Sequence, residues 1–367
     1  MQVPFVSLSP LHEPLRTDIH KEVDRLLDRS DFILGESVTA FEQSFAGYCD
    51  SMYCIGISNG LDALKIALCA LDIGAGDEVI VPANTYIASL FAIIDAGATP
   101  VLAEPDDRTY NTTAETIYPL LTSRTRAIMP VHLYGQPCDM DPIMQLATTH
   151  GLYVVEDNAQ AQGAMYRGKK TGSFGHINAT SFYPSKNLGA MGDAGAITTN
   201  DQALYRQAAL LRNMGSAQKY YHDVAGYNAR MDTIQAAILR IKLAHLDKWN
   251  AERQRLAARY LNNLKDSSVI LPVTMTGAAH VYHLFVIRHE RRDELQAYLT
   301  ESGIQTLIHY PVAPHLQPAL RRFGWVEGQF PITEQLSRTC LSLPLWVGMT
   351  DEQVDYVSEK IIAFAHR

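Results

Sequence analysis

Lys186 heads a glycine-rich run, Lys186-Asn187-Leu188-Gly189-Ala190-Met191-Gly192-Asp193-Ala194-Gly195, entered through Ser181-Phe182-Tyr183-Pro184-Ser185. Glycines let backbone pass close to a bound group or adopt positive φ. A Lys held in such a loop can be desolvated, which lowers its pKa. Only a neutral amine attacks a carbonyl, so this is a setting in which a Lys forms an imine. Taken alone, the run reads more readily as a glycine-rich turn with a solvated Lys, since short motifs match by chance. A second stretch changes the balance. In Leu152-Tyr153-Val154-Val155-Glu156-Asp157-Asn158-Ala159-Gln160, an apolar β-branched run ends in an acid, and Gln160 follows three residues on. Ligands of open α/β sheets sit at the carboxyl ends of strands. Pyridoxal phosphate requires a carboxylate at its pyridine nitrogen and a Lys for a Schiff base. Asp157 and Lys186, each after a strand-like run, supply that pair, although Asp157 by itself could be a helix cap or a surface acid.

The elements that would position these residues alternate between strand and helix. Helical apolar spacing runs from Leu11 to Leu27, and a helix from about 37 to 48 could take Ser37 as its cap. Tyr53–Ile57 has strand character and leads into Ser58-Asn59-Gly60, then a helix with Leu61, Leu64, Leu68 and Leu71 on one face. Ser58 and Asn59 are ordinary N-caps, but the free N–H groups of such a first turn also hold phosphate. Strands are expected at 79–82, 99–103, 127–132 and 196–199, with Tyr86 after the first of these. The pattern implies a mostly parallel sheet. A single long helix is expected from an Asp232 cap to about Leu264. Beyond it a strand at 282–287, a helix at 293–302 and a strand at 303–308 imply a small α+β domain. We place the domain boundary near residue 248, with residues 1–248 as the large α/β domain and 249–367 as the small one.

With these motifs in order, the chain resembles the sugar-nucleotide aminotransferases of the aspartate aminotransferase fold, fold type I. The residues that carry the resemblance are Phe32-Ile33-Leu34-Gly35, Ser58-Asn59-Gly60, Glu156-Asp157, Ser181 to Gly195, Arg230-Met231-Asp232 and His309-Tyr310-Pro311. It implies a seven-stranded-type sheet and pyridoxal 5′-phosphate as cofactor, with pyridoxamine 5′-phosphate formed during turnover. It implies Lys186 as the Schiff-base lysine and Asp157 at the pyridine nitrogen, with Gln160 near the phenolic oxygen. Asn59, Gly60 and Ser181 would seat the phosphate, and Tyr86 would cover the ring. Asn228 would reach the cofactor phosphate of a partner subunit in a homodimer. Tyr183, His309 and Tyr310 would contact substrate, with Lys219 offered from the neighbouring subunit. His132 would support at most.

Composition narrows the classes further. The 367 residues carry 31 Lys and Arg against 39 Asp and Glu, a net charge of −8, with no long basic run. That argues against nucleic acid as a partner. No apolar run is long enough to span a membrane, and no signal peptide precedes Pro4. Five cysteines without a CxxC spacing suit reduced thiols in the cytoplasm, and no metal site is expected.

Within the resembling family, Asn-Leu-Gly-Ala after the Lys, then Gly-Asp-Ala-Gly, is similar to enzymes that aminate C3 of dTDP-linked 3-keto-6-deoxyhexoses with glutamate as donor. Such reactions belong to deoxyamino-sugar biosynthesis, including that of lipopolysaccharide. A C4 aminotransferase is the alternative. Sugar dehydratases of the family carry His in place of the Lys, and a regulatory homologue would tolerate loss of Lys186, Asp157 or Gln160. All three are present.

Overall fold

A computed structural model describes residues 1–364 of the chain. Its centre is a seven-stranded sheet built from β1 (Tyr53–Ile57), β2 (Glu78–Pro82), β3 (Thr99–Ala103), β4 (Thr125–Ile128), β5 (Tyr153–Asp157), β6 (Ile177–Ser181) and β7 (Gly195–Thr199). The spatial order is β1-β7-β6-β5-β4-β2-β3. Strands β3, β2, β4, β5 and β6 pair in parallel, and β7 runs antiparallel to both β6 and β1. Parallel strands are covered by helices on both faces, which accounts for runs such as Val79-Ile80-Val81 with no polar alternation. All five residues of β2 are buried. The Gly60–Ala70 helix lies against the sheet through Ala63, Ile66 and Ala67, each fully inaccessible. Burying an Ile or Leu side chain this fully contributes about 1.5–3 kcal/mol. The carboxyl ends of β1, β2, β5 and β6 therefore open on one edge.

A second core gathers Leu256, Tyr260, Phe285, Leu299, Leu341, Val357 and Ile361. Here β8 (Phe285–Arg288) pairs antiparallel with β9 (Cys340–Leu343). Val3 belongs to this core as well. Its N–H donates to Gly303 O at 2.9 Å and its carbonyl accepts from Gln305 N at 3.0 Å, so the N-terminal residues pack with the C-terminal part of the chain.

Several local expectations are corrected. Pro14 splits the expected helix from Leu11 into a turn at Ser9–His12, a 3-10 turn at Glu13–Leu15 and the helix Arg16–Arg29, as a ring without an N–H must. Ser37 is not a cap: Gly35 holds that position in the helix Glu36–Tyr48, and the Ser37 hydroxyl accepts from Arg25 instead. The strand expected at 127–132 is Thr125–Ile128, after which Val131 makes a single bridge to Asp157. The expected long helix is two, Thr233–Leu243 and Leu246–Leu264. Between them His245 N bonds to Lys242 O at 3.0 Å, a tightened turn that interrupts the helical ladder. Asp232 stands at the N-cap without a capping side-chain bond. Residues 303–308 form no strand, only single bridges from Ile304 to Val3 and from Leu307 to Ser342.

Candidate active site

Ten of the residues singled out in the sequence line one cavity of about 600 Å³ at the carboxyl edge of the sheet: Asn59, Gly60, Tyr86, Asp157, Gln160, Ser181, Tyr183, Lys186, His309 and Tyr310. Asn59 follows β1, and its Oδ1 accepts from Asp62 N at 2.9 Å, which fixes the first turn of the Gly60–Ala70 helix. Gly60 and Leu61 open the helix, where backbone N–H groups lack intrahelical acceptors, and both residues line the cavity. Gly60 is required for contact with β6, since a Cβ there would lie 2.6 Å from Ser181 Cβ. Gly195 is similar: its Cβ would lie 2.4 Å from Asn59 O. A helix start with free backbone donors beside Ser181 is the arrangement a helix N-terminus offers to phosphate.

Asp157 ends β5 and is buried. Ser89 Oγ donates to its Oδ2 at 2.8 Å, and Ala159 N donates to its Oδ1 at 3.1 Å. Ser89 is held in turn by Thr85 Oγ1 at 2.9 Å. Burial raises the Asp157 pKa, with Ser89, Ala159 N–H and the charge of Lys186 acting against the rise. No cation makes an ion pair with this carboxylate among the described residues. A cationic group beside a buried carboxylate favours its ionised form. Gln160 bridges two elements: its Oε1 accepts from Tyr134 N at 2.6 Å and its Nε2 donates to Tyr310 OH at 3.1 Å. Tyr86, more than half exposed, has its ring centroid 5.4 Å from that of Tyr310.

Lys186 sits half-buried where the loop leaves β6, and its N–H donates to Tyr183 O at 2.8 Å. Burial lowers its pKa to about 8, with Asp157 pulling the other way. Its ammonium makes no hydrogen bond or ion pair to the described residues, so it is available to a ligand. His309 hydrogen-bonds Ser342 Oγ through Nδ1 at 2.8 Å, and burial, then Lys186, brings its pKa down to about 4. Its imidazole is neutral near pH 7, so of the neutral and charged contacts open to it, the neutral one applies.

Two expected residues do not enter this cavity. Asn228 is exposed and pairs through its backbone with Asn213. Lys219 lies in the exposed 216–223 loop, 5.2 Å from the Tyr220 ring centroid. His132 is fully buried away from the cavity, 2.8 Å from Glu156 through Nε2 and accepting Cys138 N at Nδ1. Glu156 also accepts the N–H groups of Gly172, Phe174 and Gly175. Although burial raises the Glu156 pKa, His132 and these donors hold it below its ordinary value. His132 thus braces the end of β5 rather than meeting a ligand.

The sequence did not single out Ser89, Thr85 or His283, all in the cavity wall, which Asp193 of the Gly-Asp-Ala-Gly run also lines. A Ser three residues beyond Tyr86, in the first turn of the Ile87–Asp95 helix, was the one available signal for Ser89. The five cysteines are free. No group of three or more His, Cys, Asp or Glu among the described residues could hold a metal ion, and none of these residues forms a helix long and apolar enough to cross a membrane.

The sequence profile of the DegT/DnrJ/EryC1/StrS aminotransferase family matches residues 14–362. The dTDP-3-amino-3,6-dideoxy-alpha-D-galactopyranose transaminase of Aneurinibacillus thermoaerophilus is 49% identical, over 99% of this chain and 100% of its own. The dTDP-3-amino-3,4,6-trideoxy-alpha-D-glucose transaminase of Streptomyces venezuelae is 47% identical, over 100% and 97%. Among solved structures, S. venezuelae DesV in complex with a ketimine intermediate superposes with a TM-score of 0.98 at 46% identity, covering 100% of this chain and 99% of that one.

Proposed function

The chain belongs to the DegT/DnrJ/EryC1/StrS aminotransferase family, and from that premise we propose that it aminates C3 of a dTDP-linked 3-keto-6-deoxyhexose with L-glutamate as donor. The observation that carries the proposal is the convergence of Lys186, Asp157 and the Gly60 helix start on one cavity. Enzymes of this family take pyridoxal 5′-phosphate. When bound, the cofactor supplies an electron sink for the pair left at the donor's α-carbon.

The chain's own residues do the rest. Asp157, locked by Ser89, would hold a proton at the cofactor's ring nitrogen. Gly60, Leu61 and Ser181 would hold the phosphate. Gln160 would meet the phenolic oxygen, and Tyr86 would cover the ring. Lys186 Nζ takes and returns the proton at the α-carbon; burial that lowers its pKa to about 8 brings the neutral amine into the working range. Tyr183, His309 and Tyr310 form the substrate side of the cavity, with neutral donors and acceptors for the sugar nucleotide.

In the same proposal the protein is a cytoplasmic homodimer, with Asn228 and Lys219 completing the partner's cavity. Both are exposed and outside the cavity of their own chain, as a role across the interface requires. The division into domains near residue 248 falls at the start of the Leu246–Leu264 helix. The product serves deoxyamino-sugar biosynthesis, lipopolysaccharide included.

An absorbance experiment tests the reaction class. Glutamate added to the holoenzyme should bleach the band of the cofactor–lysine linkage, and a keto sugar nucleotide should restore it. A band that glutamate leaves untouched would assign the protein to cofactor binding without transamination.

A further inference from the structure

Two residues of the Thr233–Leu243 helix grip the loop that carries Lys186. Gln235 and Lys242 are seven positions apart, two helical turns, and so share a face. Gln235 Oε1 accepts from Met191 N at 2.9 Å, and Lys242 Nζ donates to Gly189 O at 2.5 Å. Lys242 is only 1% exposed, and no carboxylate among the described residues pairs with it. Its other partner is His12, with Nε2 2.9 Å from Nζ. Burial lowers the pKa of His12, and then the Lys242 charge lowers it further, so His12 offers a lone pair to the ammonium.

The gripped loop has little slack. A Cβ at Gly189 would lie 2.2 Å from Pro184 O, and one at Gly192 would lie 2.8 Å from Gln235 Nε2. Ala190 N donates to Phe182 O at 2.8 Å, closing the turn around Lys186. A buried ammonium without a counter-ion is costly, and a Met would occupy the same space without that cost. Lys242 gives one donor to the backbone three residues beyond the reactive lysine and another to His12.

We propose that Lys242, assisted by Gln235, is a positioning residue for Lys186. By fixing the Gly189 carbonyl it sets the line along which the Lys186 amine meets the reacting carbon. This rests on Lys186 being the cofactor lysine.

The test uses holoenzyme bearing Lys242→Met, Lys242→Gln or Gln235→Ala. Its measurements are the pH titration of the linkage's absorbance, kcat and KM with glutamate and a keto sugar nucleotide, and the melting temperature. Misplacing a reacting group by about 1 Å costs about a hundredfold, so Lys242→Met should lower kcat by about tenfold to a hundredfold while KM stays within about threefold. The titration midpoint should move by about half a unit or more as the linkage leaves its set position. Lys242→Gln keeps an N–H donor and should recover most of the rate, and Gln235→Ala should lose less in the same direction.

A Lys242→Met enzyme that melts earlier but titrates and turns over like the wild type would overturn the proposal, because Lys242 would then be structural only. Should that variant fail to fold, wild-type kcat and titration in Gln235→Ala, which removes the second grip on the same loop, would overturn it equally. A Lys186→Ala control separates the two levels. If it retains the linkage band, the assignment of Lys186 is at fault, whatever the Lys242 variants do.

Discussion

The sequence pointed to Lys186 and Asp157 as a pair because Asp157 ends a strand-like run and Lys186 follows another, and the structure lines one cavity with both. Their support was not legible. Ser89 touches Asp157 across 68 positions, and His283 lies 3.3 Å from Asn187 across 96, separations that no local pattern encodes. Lys186→Ala should abolish transamination while the melting transition survives, measured by glutamate turnover and thermal unfolding. Full activity in that variant would remove Lys186 from the reaction. Asp157→Asn should slow turnover by about a hundredfold or more, since a neutral partner no longer holds the ring nitrogen's proton. Ser89→Ala should produce a smaller loss in the same direction. A fourth expectation follows from the Lys186 pKa, about 8 in the folded chain against an ordinary value of 10.5. Between those values the unfolded chain binds more protons at this site, so stability rises with pH across the window, and the penalty of the buried charge is fully present below it. In cofactor-free protein, urea unfolding of wild type should therefore gain on that of Lys186→Met from pH 8 to 10.5. A constant difference across the window would contradict it.

At the scale of elements, the alternation of buried strands with helices announced a parallel sheet, and the sheet is seven-stranded with one reversed strand, β7. What failed to appear was the break between Thr233–Leu243 and Leu246–Leu264, because neither Pro nor Gly marks it. The Gly303–Ile308 stretch has strand-like residues but finds only single bridging partners, so composition alone overstated it. The contact that matters most to the site joins the Gly60–Ala70 helix to β6. Gly60→Ala would force a Cβ to 2.6 Å from Ser181 Cβ. Overpacking of that kind costs about 1–3 kcal/mol, so cofactor affinity should fall by about tenfold or more with the sheet intact. Equilibrium dialysis of pyridoxal phosphate against the variant measures this. Unchanged affinity would mean that the phosphate does not sit at this helix start.

At the scale of the whole molecule, Asn228 and Lys219 are exposed outside their own chain's cavity, while every other singled-out cofactor or substrate residue lies within it. Mixing Lys186→Ala and Asn228→Ala proteins, each inactive alone, should restore activity through hybrid sites that hold both intact residues. Activity that never returns, or a wild type active as a monomer, would deny shared sites. Lys186 and Asp193 of the glycine-rich loop line the cavity, and the wording of that loop carries the C3 reading, which makes regiochemistry the most direct measure of the account. Holoenzyme with glutamate should be offered dTDP-linked 3-keto-6-deoxy and 4-keto-6-deoxy hexoses together, and the amino sugars analysed by mass and NMR. The account predicts amination at C3 of the 3-keto compound; exclusive amination of the 4-keto compound would contradict it.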